Sequence, residues 1–588
     1  MSQILSPDLN PGIILIIAGV LLAVLPKLFR NLVAAGAIVI SFTHLWGYGL
    51  PAFGEVSLFA QSTLMGFETI GVRIDRLAMI FAVIFHIAAL INVIYGWQHA
   101  TRLEASMGLV YAGAAIAGAL AGDLLTLFIY WELAALSSVF IVWAGGGHAA
   151  FKAGMRYLVI QVLSGLFLLA GTVMHYSDTG SLAFNSFVTG DGAFGDLSSA
   201  AVLILISFAI KAAFPLLHTW LQDSYPKASA VGAVMLSAFT TKLAIYTLAR
   251  GFAGLDALIV VGCVMTAFPV FFALIENDLR KVLAYSLNNQ LGFMVCAIGI
   301  GTPLALNGAA AHAFVHIIYK ALLFMSMGAV IVRVGTAKAT ELGGLHKSMP
   351  WTTIFCIIGA MSIAAFPLFS GFVAKSMITL AASKEHILFA YFILLFASAG
   401  VLVHSGIKIP YFAFFAHDQF SPSHTGKPRP KEAPAPMLIA MGLAAFLCIF
   451  IGVQPQYLFA LLPYEAKYTA YTADHIATQL QLLLFAILAF ALLVKFKLYP
   501  AEVRSQNLDV DWFWRVPGRH LLMGVVNGTA ALWRFVWRGL CALNGRILRR
   551  LYIVHGPEGR IARTWPVGYT ALMTAVVFGV VLFSVYFY

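Results

Sequence analysis

The sequence predicts an all-α polytopic membrane protein of about 14–16 transmembrane helices. Two observations carry that expectation. Of 588 residues, 61% are hydrophobic and only 10% are charged, whereas soluble domains carry about 25% charged residues. The apolar residues also form continuous runs close to the roughly 20 residues a bilayer-spanning helix needs, without the alternation of a membrane β-strand.

Taken in order, the runs place spans near 12–26, 32–49, 77–97, 105–121, 124–144, 154–175, 199–221 and 229–249 in the first half. They continue near 257–275, 282–300, 305–332, 352–381, 386–406, 437–462, 476–496 and 566–587. The N-terminal run has no preceding basic residue and is followed by Lys27 and Arg30, so it reads as a first span rather than a signal peptide. The stretch "FGEVSLFAQSTLMGFETIGVRID" fits a short hairpin outside the membrane. "SDTGSLAFNSFVTGDGAFGDLSS" holds three Asp and no Lys or Arg, whereas basic residues gather in "FKAGMR", "ENDLRK", "RVGTAKATELGGLHK" and "HDQFSPSHTGKPRPKEAP". The positive-inside bias then puts both termini on the outer face.

Between the last two spans lies "DVDWFWRVPGRHLLMGVVNGTAALWRFVWRGLCALNGRILRRLYIVHGPEGRIART". At helical spacing Arg534 and Arg538 share one face, as do Trp533 and Trp537, and Arg546, Arg549 and Arg550 continue the basic surface. Such a segment lies in the interface, either as an anchor for the last span or as a lateral strut against neighbouring subunits. The formal charge of +12 is distributed as topology and lipid contact require, which argues against nucleic acid as a partner. Cys263, Cys296, Cys356, Cys448 and Cys541 are far apart, which argues against zinc, an iron–sulfur cluster or a disulfide framework.

Charged side chains at bilayer depth cost at least about 2.5–3.5 kcal/mol each, so they are rarely idle. Glu132 lies in "LLTLFIYWELAALSSVF", Lys211 in "FAIKAAFPLLH" with His218 after it, and Lys242 in "VGAVMLSAFTTKLAIYTLA". His312, His316 and Lys320 recur every four residues, and Lys375 closes "SIAAFPLFSGFVAK". Taken singly, these are a structural ion pair, a snorkelling lysine or a histidine satisfied between helices; the HxxxH spacing lacks the further ligands a metal needs. Taken together, they form a row of titratable groups without a polar substrate motif, which suits proton relay.

The pentapeptide AAFPL occurs twice, around Pro215 and Pro367. Proline removes a backbone donor and opens the helix, and such openings at membrane depth are tolerated only against protein or water. Two broken spans in corresponding halves point to an inverted-repeat transporter and its site.

Residues 75–410 carry motifs that resemble those of the proton-conducting antiporter-like subunits shared by respiratory complex I, membrane-bound hydrogenases and Mrp-type cation/proton antiporters. "FAIKAAFPLLHTWLQDSYP" resembles that family's seventh helix, "ENDLRKVLAYSLNNQLGFM" its ninth-to-tenth loop, "AAHAFVHIIYKALLF" its eleventh helix and "SIAAFPLFSGFVAK" its broken twelfth. The nearest resemblance is to the D component of Mrp-type Na+/H+ antiporters, which has lysine at the position of Lys375. The chain departs from the family at Gln222, Asp223, Ser224 and Tyr225, where Pro-Asp-Ala-His is frequent.

The resemblance implies a core of two inverted five-helix repeats at 105–250 and 251–410. Ahead of them come N-terminal helices (1–104); after them come two more helices (411–500), an interfacial helix (501–565) and a final span (566–588). It also implies a proton relay through Glu132, Lys211 and Lys242, then His312, His316, Lys320 and Lys375, to which the row of titratable groups adds His218. The implied function is proton translocation in a multisubunit monovalent cation/proton antiporter of a bacterial cytoplasmic (inner) membrane. Other membrane subunits and lipid are its partners, Na+ or K+ the exchanged ion. The alternative is the pumping subunit of a redox-driven complex. A stand-alone permease fits least. No cofactor site and no catalytic chemistry are expected in this chain itself.

Overall fold

A computed structural model describes residues 5–64, 66–420, 429–498, 503 and 507–587. It divides into two compact units, one ending at Asp509 and one starting at Val510. Every expected span is a helix or a pair of helices. Among the described residues, twelve helices are by themselves long and apolar enough to cross a bilayer. The remaining spans are short, less apolar or interrupted.

The first unit opens with α1 (Pro11–Leu22) and α2 (Lys27–Gly47), followed by an antiparallel hairpin of β1 (Ser57–Leu64) and β2 (Phe67–Ile74). Next come α3 (Arg76–Gly96), α4 (Arg102–Ala119), α5 (Leu124–Trp143) and α6 (Gly147–Thr179). Their starts are written locally. The Asp75 and Asp123 carboxylates accept from Ala78 N and Thr126 N, both at 2.8 Å, and Thr101 with Glu104 forms a capping box. α1 lies against α4, where a Cβ on Gly12 would overlap the Gly113 backbone, so small residues set the close approach.

The sequence then runs through α7 (Ser199–Lys211), the short α8 (Thr219–Ser224), α9 (Ala230–Ala238) and α10 (Thr240–Gly251). α11 (Ala257–Ile275), α12 (Leu279–Ile300) and α13 (Pro303–Val334) follow, then α14 (Pro350–Ile363), α15 (Ser370–Lys384) and α16 (Leu388–Val401). α16 continues to Phe415 with two widened, π-type stretches. α17 (Ala435–Val453) and α18 (Ala473–Lys495) complete the spans of this unit. α13 is the hub: buried from Ala305 to Val330, it packs on α3, α9, α12, α14, α15 and α17.

At the start of α3 the Asp75 carboxylate meets Arg250 at 2.7 Å and Arg73 at 2.9 Å. Burial would push this carboxyl up, but the two guanidiniums and the Ala78 N–H outweigh it and hold it down to about 2. Asp418 is held down to about 2 by hydrogen bonds from Lys347 and Arg429, which tie together the loops after α13 and before α17.

The second unit holds α19 (Arg519–His555) and α20 (Val567–Phe587). At 37 residues α19 is roughly 55 Å long, and Trp533 and Trp537 stack along it at 6.2 Å. The loop charges expected at 421–428 lie outside the described residues.

Candidate functional site

The two AAFPL copies fold the same way. α7 stops at Lys211 and α14 at Ile363, four residues before Pro215 and Pro367. In each copy the second Ala and the Leu are left-handed: Ala213 (φ 60) and Leu216 (φ 70), Ala365 (φ 58) and Leu368 (φ 74). Phe214 N donates to Ala209 O at 3.0 Å, and Phe366 N to Met361 O at 3.0 Å. Four strained non-glycine residues are held there by the surrounding helices, as is common where a backbone must leave its regular path for function.

The lysines use the breaks differently. Lys211, the last residue of α7, is buried; its Nζ lies 4.1 Å from the Trp131 ring centre and donates to Trp131 O at 2.7 Å. The Glu132 carboxylate is half-buried, within electrostatic reach of Lys211 but not bonded to it. Glu132 Oε1 has no hydrogen-bond partner among the described residues and rests against Gly165, where any Cβ would overlap it. Lys375 instead reaches back from α15. Its Nζ donates at 3.0 Å to Ile363 O, the carbonyl whose helical donor would be residue 367, a proline.

A third interruption separates α9 from α10 at Phe239. No proline or glycine makes it. The Tyr111 hydroxyl, reaching in from α4, bonds Thr240 Oγ1 and accepts from Thr240 N at 2.9 Å. Lys242 Nζ donates to Ser237 O at 2.6 Å on the other side of that break.

α13 brings His312, His316 and Lys320 to this region, all fully buried. His312 Nε2 lies 3.1 Å from both Gln290 Oε1 and the Tyr319 hydroxyl, and its ring stacks on Phe293. Lys375 Nζ also approaches Phe293, at 5.0 Å from the ring centre. Both ring nitrogens of His316 and the Lys320 ammonium have no hydrogen-bond partner among the described residues. His316 is in electrostatic reach of Lys242, Lys320, His312 and Lys375.

The structure therefore groups the eight expected residues unequally. Glu132 and Lys211 form one cluster; Lys242, His312, His316, Lys320 and Lys375 form a second; His218 stands with Asp509, 3.2 Å away. Besides Asp509, the buried His404 and Lys408 lie near these groups and were not singled out from sequence. His404, in reach of Lys320 and Lys375, bonds Ser405, which bonds Ser286. Lys408 caps the end of α11 through Leu274 O at 2.7 Å and Glu276 O at 2.8 Å. For His404 the signal existed, a histidine in an apolar run. Lys408 fell beyond the expected end of that run, because its helix continues to Phe415.

The family described as NADH:quinone oxidoreductase/Mrp antiporter, TM matches residues 121–401, the stretch holding Glu132, Lys211, His218, Lys242, His312, His316, Lys320 and Lys375. The D component of the Na(+)/H(+) antiporter of Alkalihalophilus pseudofirmus is 32% identical over 316 residues, 51% of this chain and 63% of that protein. Hydrogenase-4 component B of Escherichia coli is 25% identical over 430 residues, 67% of this chain and 63% of that protein. The chain thus spans less than two thirds of either relative. Among solved structures, a chain of the Mrp complex from Dietzia sp. DQ12-45-1b superimposes with TM-score 0.67 and 22% identity, covering 80% of this chain and 98% of that one. A chain of the archaeal membrane-bound sulfane sulfur reductase superimposes with TM-score 0.69 and 21% identity, covering 98% and 100%.

Proposed function

We propose, with the match of residues 121–401 to the NADH:quinone oxidoreductase/Mrp antiporter transmembrane family as premise, that this chain is the proton-translocating subunit of a multisubunit monovalent cation/proton antiporter. The observation that carries the reading is the cluster of Lys242, His312, His316, Lys320 and Lys375 buried in one body beside two opened helices. Fully buried ammonium and imidazole groups this close cannot all be charged, so gaining a proton at one drives it off the next.

Glu132 and Lys211 gate the row. The Lys211 ammonium hydrogen-bonds a carbonyl rather than the acid, so a shift of the Glu132 carboxylate toward it favours the charged lysine and a shift away releases the proton. Across a potential of 100 mV one charge is worth about 2.3 kcal/mol, within reach of such a change. The two repeats, 105–250 and 251–410, contribute one proline break each. Both termini lie outside, as the loop charges favour. Other membrane subunits and lipid surround the chain, and Na+ or K+ is the counter-transported ion.

The test is exchange in inverted membrane vesicles carrying the whole complex. Lys211→Ala is expected to cut proton-coupled cation exchange by at least about a hundredfold while the complex still assembles. Wild-type exchange in that variant would remove Lys211 from the path.

A second reading, the pump arm of a redox-driven complex, is favoured by one observation. The sulfane sulfur reductase chain covers 98% of this chain, including most of the C-terminal unit, whereas the Mrp chain covers 80%. Mass spectrometry of the gently extracted complex separates the two: iron–sulfur or nickel-bearing subunits would replace the antiporter reading with this one.

A further inference from the structure

The first break also carries His218, which belongs to the motif around Pro215 but stands outside the two clusters. His218 follows the left-handed Leu216 by two residues, and its ring packs on Phe268 of α11 at 4.6 Å between centres. Its Nε2 faces Asp509 Oδ2 at 3.2 Å, and the Tyr285 hydroxyl of α12 donates to the same oxygen at 2.7 Å. Both partners are essentially sealed, with side-chain exposures of 1% for His218 and 2% for Asp509.

The short stretch that delivers the carboxylate is pinned. Lys281 Nζ donates to Asn507 O at 3.0 Å, Asn507 Nδ2 donates to Ile275 O at 3.1 Å, and Lys281 also pairs with Glu276 at 2.8 Å. A chance surface contact would not bury a carboxylate against a histidine and hold the residue two before it by both its backbone carbonyl and its side chain. An isolated buried carboxylate is costly, whereas one paired with imidazolium and a phenol donor is not.

We propose that Asp509 is a positioning residue of the proton path: it orients His218 at the first break and supplies the counter-charge for its imidazolium form. This rests on the relay reading above. In a transfer, a proton arriving at His218 Nδ1, which has no hydrogen-bond partner among the described residues, forms the N–H bond of the imidazolium while Nε2–H keeps donating to Asp509 Oδ2. Loss of the Nδ1 proton to the next acceptor restores the neutral ring, and Asp509 stays ionised throughout with the phenol still donating. Among the described residues, the other charged groups around this site are Glu276 and Lys281 at the α11–α12 turn and Asp223 of α8 with Arg156 of α6. None of these needs to change for the pair to act.

The experiment measures the pH profile of proton-coupled transport in vesicles holding the full complex, for Asp509→Asn, Asp509→Glu and Tyr285→Phe, with Lys211→Ala alongside. Asp509→Asn is expected to lower transport about tenfold and move the profile about one pH unit toward acid, because the imidazolium loses its counter-charge. Asp509→Glu restores most of the rate. Tyr285→Phe moves the profile the other way, since the ionised carboxylate, its charge no longer shared with the phenol, holds the imidazolium more strongly. A wild-type rate and profile in Asp509→Asn would overturn the proposal. So would equal losses in Asn and Glu variants with an unmoved profile, the signature of a merely structural contact. If Asp509→Asn fails to assemble, an unshifted Tyr285→Phe profile overturns it alone. Full transport in Lys211→Ala marks failure of the relay reading itself; loss there with a normal Asp509→Asn marks failure of this inference only.

Discussion

The two broken helices share a backbone and differ in their chemistry. Around Pro215 and Pro367 the dihedral signs and the widened turns coincide residue for residue. At the first break the lysine stands before the proline and has an acid within electrostatic reach; at the second it stands twelve residues after Ile363 and donates to that residue's carbonyl. Ile363 occupies in the second copy the place of Lys211 in the first. The two lysines therefore stand on opposite sides of the break, and only Lys375 donates to a carbonyl that the break frees, whereas Lys211 donates to Trp131 O of α5. The difference teaches that the opening, not the lysine's place in the sequence, is the shared device; an acid in reach marks the first copy.

The comparison breaks most severely if the charge is moved. Lys375→Ala should lower transport about tenfold or more, and adding Ile363→Lys should recover much of the loss, because the ammonium returns to the same opening in the manner of the first copy. Vesicle exchange assays on both variants check this; no recovery would mean that the side of approach matters.

A smaller effect should follow from Gly165→Ala. The new methyl displaces the Glu132 carboxylate, and a shift worth about 1 kcal/mol changes the rate about fivefold. Gly359 of α14, which packs on Leu323 rather than on an acid, supplies the contrast, since Gly359→Ala should change transport less. Equal effects would dissolve the asymmetry between the halves.

Tyr111→Phe tests whether the third interruption is of the same kind. Losing the phenol that bonds Thr240 should cost about 1–3 kcal/mol of stability and alter transport through Lys242 modestly. A thermal-shift assay and the exchange rate report the two parts.

The smallest effect on transport is expected from Asp75→Asn, away from both breaks. Its carboxyl is depressed in the folded state, from an ordinary 3.8 to about 2. The ionised form therefore stabilises the protein by about 2 kcal/mol above pH 4, a contribution lost as the pH falls from about 4 through 2. The variant should lose that margin at neutral pH while its transport profile keeps its shape. Melting curves of the wild type and the variant across this range give the check.

Composition and run length were enough to read an all-helical membrane protein, and every expected span is present as helix. Proline explained the breaks in the expected spans at 199–221 and 352–381, but nothing in "VGAVMLSAFTTKLAIYTLA" announces the break at Phe239. Buried charges were legible because charge within an apolar run is conspicuous in a chain this hydrophobic. Asp509 had no such contrast, lying in a polar stretch 291 residues from His218.

By itself, then, the sequence determined what depends on near neighbours: which runs are long and apolar enough to leave water, where helices are capped, and where proline denies a carbonyl its donor. The tertiary structure alone decided which carbonyl each ammonium finds, that Tyr111 opens α9 from α10, and that Asp509 meets His218. Helix formation and proline breaks are set within a few residues of the chain. Hydrogen-bond partners of buried charges are set by packing between segments distant in sequence, and no local pattern carries that distance.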